Sequence, residues 1–168
     1  MALIKDGKQV SDQWLTADAD TPVQPDIPTI VPFARFIAER DSLLRSQAEI
    51  GVKLSPGDDV AALAGDLDRL KVIAVDFPAF TDGRAYSYAR LLRQRYGYRG
   101  EIRATGNVLR DQYLFMLRAG IDAFEVTDKT QISSWIDALE EFSHYYQKAS
   151  DAAQPVWAKR HTTVAAAE

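Results

Sequence analysis

Short apolar runs alternate with amphipathic stretches along most of this chain, and that alternation sets the expected fold. Near the start, Leu3-Ile4-Lys5 and Lys8-Gln9-Val10 flank Asp6-Gly7, a pair that favours a type I′ hairpin turn. Residues 17–28 hold three of the seven prolines and predict an extended linker. A helix is expected to open near Pro32, with Phe33, Phe36, Ile37 and Leu44 on its apolar face. Four strand-then-helix units follow. The predicted strands are Ile50–Leu54, Val72–Phe77, Glu101–Ala104 and Ala123–Val126. The predicted helices run over about 58–67, 84–96, 107–120 and 130–146, with Asn107 as the cap of the third and Gly120 as its end.

The run Val72-Ile73-Ala74-Val75-Asp76-Phe77 is continuously apolar up to its aspartate. A strand buried on both faces reads this way, which places it centrally in a parallel sheet. The expected class is therefore α/β, with about four parallel β-α units preceded by an N-terminal hairpin and helix. Four units are too few for an eight-stranded barrel, so an open sheet and a half-barrel both remain open. The expected organisation is one domain over 1–148 (hairpin 1–16, linker 17–28, β-α core 29–148), then a flexible C-terminal arm over 149–168, where Trp157 is available for docking.

Composition narrows the chemistry. The 168 residues suffice for one well-buried core. A net charge of -4 supplies no basic field for nucleic acid. The chain has no cysteine, so a disulfide, a thiolate nucleophile and a cysteine-held iron–sulfur cluster are all excluded. With only two histidines, His144 and His161, a multi-histidine zinc site is not expected, nor is any metal or cofactor. No signal-like segment opens the chain and no apolar run approaches the ~20 residues of a membrane span, so no membrane contact and a cytoplasmic location are expected. Neither a Walker loop, a dinucleotide-binding glycine fingerprint, HExxH nor GxSxG occurs.

Parallel α/β sheets bind ligands beyond the carboxyl ends of their strands. The oddest loop there is Phe77-Pro78-Ala79-Phe80-Thr81-Asp82-Gly83-Arg84, which follows Asp76 and leads into a helix. The helix start and Arg84 suit an anion, with Ser87 as a further donor in the first turn. The alternative is local: Asp82 caps the helix and Gly83 permits the turn. Arg103 lies between Ile102 and Ala104 in a strand that should be buried, so its charge needs a partner or a ligand. Asp76 is the expected partner, tying two strand ends together or orienting Arg103 toward an anion. The candidate anion-binding set is thus Asp76, Asp82, Gly83, Arg84, Ser87 and Arg103, with no catalytic residue assigned.

The stretch Phe77–Val126, with its blocks FTDGRAYSYARLLR, GEIRATGNVLRDQ and RAGIDAFE, closely resembles a bacterial family called domain of unknown function 934. The likeness extends more weakly from the hairpin to about Tyr146, and Ile121 stands where phenylalanine is expected. That family is usually described as a probable oxidoreductase involved in sulfite reduction. The resemblance implies a place beside a sirohaem and iron–sulfur sulfite or nitrite reductase. A chain without cysteine or a cofactor fingerprint is a poor redox catalyst, so the expected role is accessory. Two alternatives stand next to it: a small enzyme or binding domain for an anionic ligand at the strand ends, and a homodimeric structural scaffold.

Overall fold

A computed structural model describes residues 1–127, 132–138, 142–151 and 153–159. Its frame is an eight-stranded sheet: β1 Ala2–Lys5, β2 Lys8–Val10, β3 Leu15–Thr16, β4 Thr29–Pro32, β5 Ile50–Leu54, β6 Leu70–Phe77, β7 Glu101–Gly106 and β8 Ala123–Val126. The helices are α1 Phe33–Arg45, α2 Arg84–Arg90, α3 Tyr113–Ala119 and α4 Ile132–Asp137. The strands lie in the order β2-β1-β8-β7-β6-β5-β4-β3. From β3 to β8 every neighbour is parallel and next in sequence, while β1 and β2 add antiparallel strands at the β8 edge. Successive right-handed crossovers to the next strand put every connecting helix on one face. The result is a curled, open half-barrel, one of the two architectures expected.

Period-two alternation divides the strand residues between two faces. Ile73, Val75 and Phe77 of β6, with Ile102 and Ala104 of β7, join the main core beneath Phe36, Ala89, Leu92, Tyr113 and Met116. This is the convex, helix-covered side. Val72 and Ala74 point the other way and form a small concave cluster with Ile30, covered by Trp14.

The order of the strands makes one connection unusual. β2 lies at one edge and β3 at the other, and only Ser11–Trp14 joins them. Seven strand spacings across a flat sheet would total about 34 Å. Five Cα steps from Val10 to Leu15 reach at most about 18 Å. The sheet must therefore curl until its edges come within that reach. The four-residue strap is a chord across the concave face, and its own contacts agree: Trp14 sits on the apolar cluster and Asp12 meets Arg103.

Several local expectations change. The hairpin forms as expected, with Asp6 and Gly7 both at positive φ (51° and 68°), the type I′ geometry. Leu15 and Thr16 do not continue it but pair with β4 at the opposite edge. Thr29–Pro32, expected to lead directly into a helix, is first a strand. The segment expected as a helix over 58–67 holds a single 3-10 turn at Val60–Leu63, capped by the Asp59 side chain on the Ala61 N–H. Burying Val60 and Leu63, three apart, needs no more than that turn, and Gly65 disfavours a longer helix. Asn107 does not cap a helix: its N–H is bound to the Phe77 carbonyl and extends the end of the β6–β7 ladder. The helix begins at Tyr113, after a 3-10 turn at Arg110–Gln112, and ends at Gly120 with φ 105°. The helix over 84–96 continues past α2 as a π turn at Leu91–Arg95. The last helix is described only over Ile132–Asp137, and residues 142–146 are not helical. Residues 160–168 of the expected arm lie outside the described residues. Among the described residues no helix is long and apolar enough to cross a membrane.

Candidate functional site

The four central strands β5 to β8 contribute polar residues to the concave face: Lys53 on β5, Asp76 on β6, Glu101, Arg103 and Thr105 on β7, and Glu125 on β8. The β7 set follows directly from alternation, since Ile102 and Ala104 occupy the helix side.

Arg103 is fully buried, at 1% exposure. Its Nε donates to Glu101 Oε1 at 2.8 Å, and its Nη1 donates to Asp12 Oδ2 at 2.9 Å and Glu125 Oε1 at 3.4 Å. Lys5 on β1 donates to the other Glu101 oxygen at 2.9 Å. Burial alone would lower the Arg103 pKa, but the Glu101 and Asp12 carboxylates reverse this and raise it. Burial pushes the Glu125 carboxyl above its ordinary value, with Arg103 opposing and Asp12 adding to the shift. The expected Arg103–Asp76 pair is not the one formed. The register sets Arg103 beside Ala74, and Asp76 beside Thr105. Asp76 Oδ1 accepts from Thr105 Oγ1 at 3.0 Å and from Lys53 Nζ at 2.8 Å. Gly106 follows at φ +86°, where a Cβ would lie 2.6 Å from the Phe77 carbonyl oxygen and 3.2 Å from Asp76 Oδ1. Only glycine lets the chain turn this close to the aspartate.

The 77–84 loop splits its aromatics. Phe77 is core, edge-on to Tyr86 with ring centroids 5.2 Å apart, whereas Phe80 is exposed. Asp82 and Arg84 satisfy each other: Nε donates to Oδ1 at 3.0 Å and Nη2 to Oδ2 at 2.7 Å. Oδ1 also accepts the Arg84 backbone N–H at 3.1 Å, so Asp82 orders the turn while Gly83 occupies the cap position. The Arg84 guanidinium holds the Asp82 carboxyl below its usual range. The sequence-predicted residues therefore separate into four places. Asp76 and Arg103 belong to two concave clusters, Asp82, Gly83 and Arg84 form a self-contained turn, and Ser87 faces a shallow surface depression with Arg90, Leu91, Gln94 and Arg95. Among the described residues no group of three or more His, Asp or Glu side chains is arranged to hold a metal.

The other notable place was not predicted. An open groove of about 570 Å³ lies on the convex side between α2, α3 and the segment 142–149, lined by Tyr86, Arg90, Phe115, Phe142, Tyr145 and Tyr146 among others. Arg118 builds its far wall. It donates Nη1 to Asp151 Oδ2 at 3.0 Å and Nη2 to the Gln147 carbonyl at 2.5 Å, and it lies 3.9 Å from the Tyr145 ring centroid. The Ser150 N–H donates to the Arg118 carbonyl at 3.0 Å, and Gln94 reaches Ser150 Oγ at 3.0 Å. Phe115 is 62% exposed, Phe142 54% and Tyr146 85%.

Sequence reasoning missed the concave partners Asp12, Lys53, Glu101, Thr105 and Glu125, although polar residues at alternate positions of otherwise apolar strands marked most of them. Asp12 had no such signal, being 91 residues from Arg103. Phe115 was detectable as an apolar residue out of phase with the buried Tyr113 and Met116.

No curated protein matches the chain. The family model described as "Bacterial protein of unknown function (DUF934)" matches residues 51–157, and the chain belongs to that family.

Proposed function

We propose that this protein is an accessory of assimilatory sulfite reduction, acting by contact with a sirohaem and iron–sulfur sulfite or nitrite reductase rather than as the redox catalyst. The observation that carries the reading is the contrast between the two candidate surfaces. The strand-end charges already satisfy one another, whereas the convex groove presents exposed aromatic side chains that no described residue covers. Contiguous exposed apolar surface of this kind marks binding more often than catalysis. The link to sulfite reduction comes from the usual description of the family, and the lack of any cysteine suits an accessory better than an electron carrier.

The test is direct. Tagged protein should retain the reductase in a pull-down from the native bacterium, and extracts lacking the protein should reduce sulfite more slowly until it is added back. Normal sulfite reduction and normal growth on sulfate after deletion would remove this reading.

A further inference from the structure

The cations in and around the groove are compensated unequally. Arg84, Arg93, Arg103 and Arg118 each have a carboxylate within salt-bridge distance. Arg90 lines both the groove and the adjoining depression and has no carboxylate partner among the described residues. Arg95, in that depression, lies 5.8 Å from the Tyr96 ring centroid, again without a carboxylate among the described residues. Lys148, at the other end of the groove, is likewise without one among the described residues. Three cations without a carboxylate among the described residues thus border three exposed aromatics, in a chain whose net charge is -4. Long side chains of one sign, left unpaired beside apolar surface, are complementary to a partner of the opposite sign. Aromatic and arginine side chains are also the residue types that carry most of the energy at protein interfaces.

From this we infer that the groove between α2, α3 and residues 142–149 receives a protein segment bearing Asp or Glu together with at least one bulky apolar side chain. The apolar side chain seats against Phe115 and Phe142, and the carboxylates meet Arg90 and Arg95. A single-stranded nucleic acid would also use aromatics and cations, but the acidic chain provides no long-range attraction for a polyanion, and one wall cation, Arg118, is already held by Asp151. The inference rests on the groove being the docking surface of the proposed accessory, but not on which enzyme docks there.

The experiment places a benzophenone amino acid at position 115 of the full chain in native cells and maps the photo-cross-linked peptide by mass spectrometry. The expected product is a segment of another protein with Asp or Glu flanking a bulky apolar residue. A synthetic peptide of that segment should bind purified wild-type protein with an affinity that falls as salt rises. Arg90→Glu combined with Arg95→Glu should weaken it by at least about thirtyfold, one hot-spot residue's worth. Arg90→Gln combined with Arg95→Gln gives the same direction of change if the charge reversal impairs folding, which circular dichroism reads. Cross-links only within the chain, only to a second copy, to nucleic acid, to a basic segment, or to nothing would each overturn the inference. An acidic segment from a protein outside sulfite reduction would uphold it and overturn the functional reading instead.

Discussion

On the concave face, Arg103 is 1% exposed and shares its guanidinium among three carboxylates from β7, β8 and the strap. On the convex side, Arg90 stands over an aromatic groove with no carboxylate partner among the described residues. The same side chain thus has two uses in one small domain. A charge taken out of water must be paired where it sits, because desolvation costs several kcal/mol, on the order of the whole stability of a domain. A charge left in water costs little unpaired and remains available to something else. The conspicuous arginine in a buried strand is therefore the structural one, and the inconspicuous one on a helix is the candidate for recognition.

The largest expected effect falls on the buried side. Arg103→Met leaves Glu101, Asp12 and Glu125 without their shared cation and should destabilise the fold by roughly 3–5 kcal/mol, the range for breaking a buried pair from one side. Urea unfolding measures it, and a loss under about 1 kcal/mol would mean that the network is not holding the sheet. Trp14→Ala uncovers Ile30, Val72 and Ala74 and frees the chord, at a cost of about 2 kcal/mol for a partly buried aromatic. An unchanged urea midpoint for this variant would separate the strap from the curl.

A smaller effect is one of pH. Burial raises the Glu125 carboxyl, against Arg103 and with Asp12, so the folded state holds this proton more tightly than the unfolded chain. The contribution is fully present below the ordinary carboxylate value, near pH 4, and is lost as pH rises through the raised one. Glu125→Gln should remove that part of the dependence, so the wild-type and variant melting curves should differ in slope across this window. Parallel curves would sink the assignment. The smallest effect belongs to the open side. Phe115→Ser should change stability by no more than about 0.5 kcal/mol, as for ordinary surface positions, while abolishing retention of the partner. A large loss of stability would show that the groove is part of the core.

The features legible in the sequence were those set by neighbours along the chain. The run Val72–Phe77 announced a central strand because burial on both faces leaves no alternation to disguise it, and Asp6-Gly7 announced its turn because both positions need positive φ. Thr29–Pro32 was hidden by Pro28 and Pro32 at its two ends, which suit a linker as well as a short strand near an edge. That Arg103 needs a partner could be read from Ile102 and Ala104, but the partner's identity depended on register and on a strap that returns from far away in sequence. Asp76 was the natural guess among nearby strand ends, yet the parallel register sets it beside Thr105 and leaves Arg103 facing the β8 side. The groove depends on residues 142–146 leaving the expected helix, and no local periodicity signals that.

The strap also orders events in time. Strands β4 to β7 are each next to their predecessor in the chain and can assemble as they leave the ribosome. β1 waits for β8, whose pairing joins Ala2–Lys5 to Ala123–Val126, and the chord Ser11–Trp14 settles only when both edges exist. Contacts closed across so long a stretch of chain form slowly. The N-terminal hairpin is thus expected to be among the last elements to find its place, and pulse-labelled hydrogen exchange should show late protection at Leu3–Lys5. A nascent chain cut short before β8 would carry its N-terminal hairpin with no edge to join, so a complete C-terminal half becomes a condition for an ordered beginning.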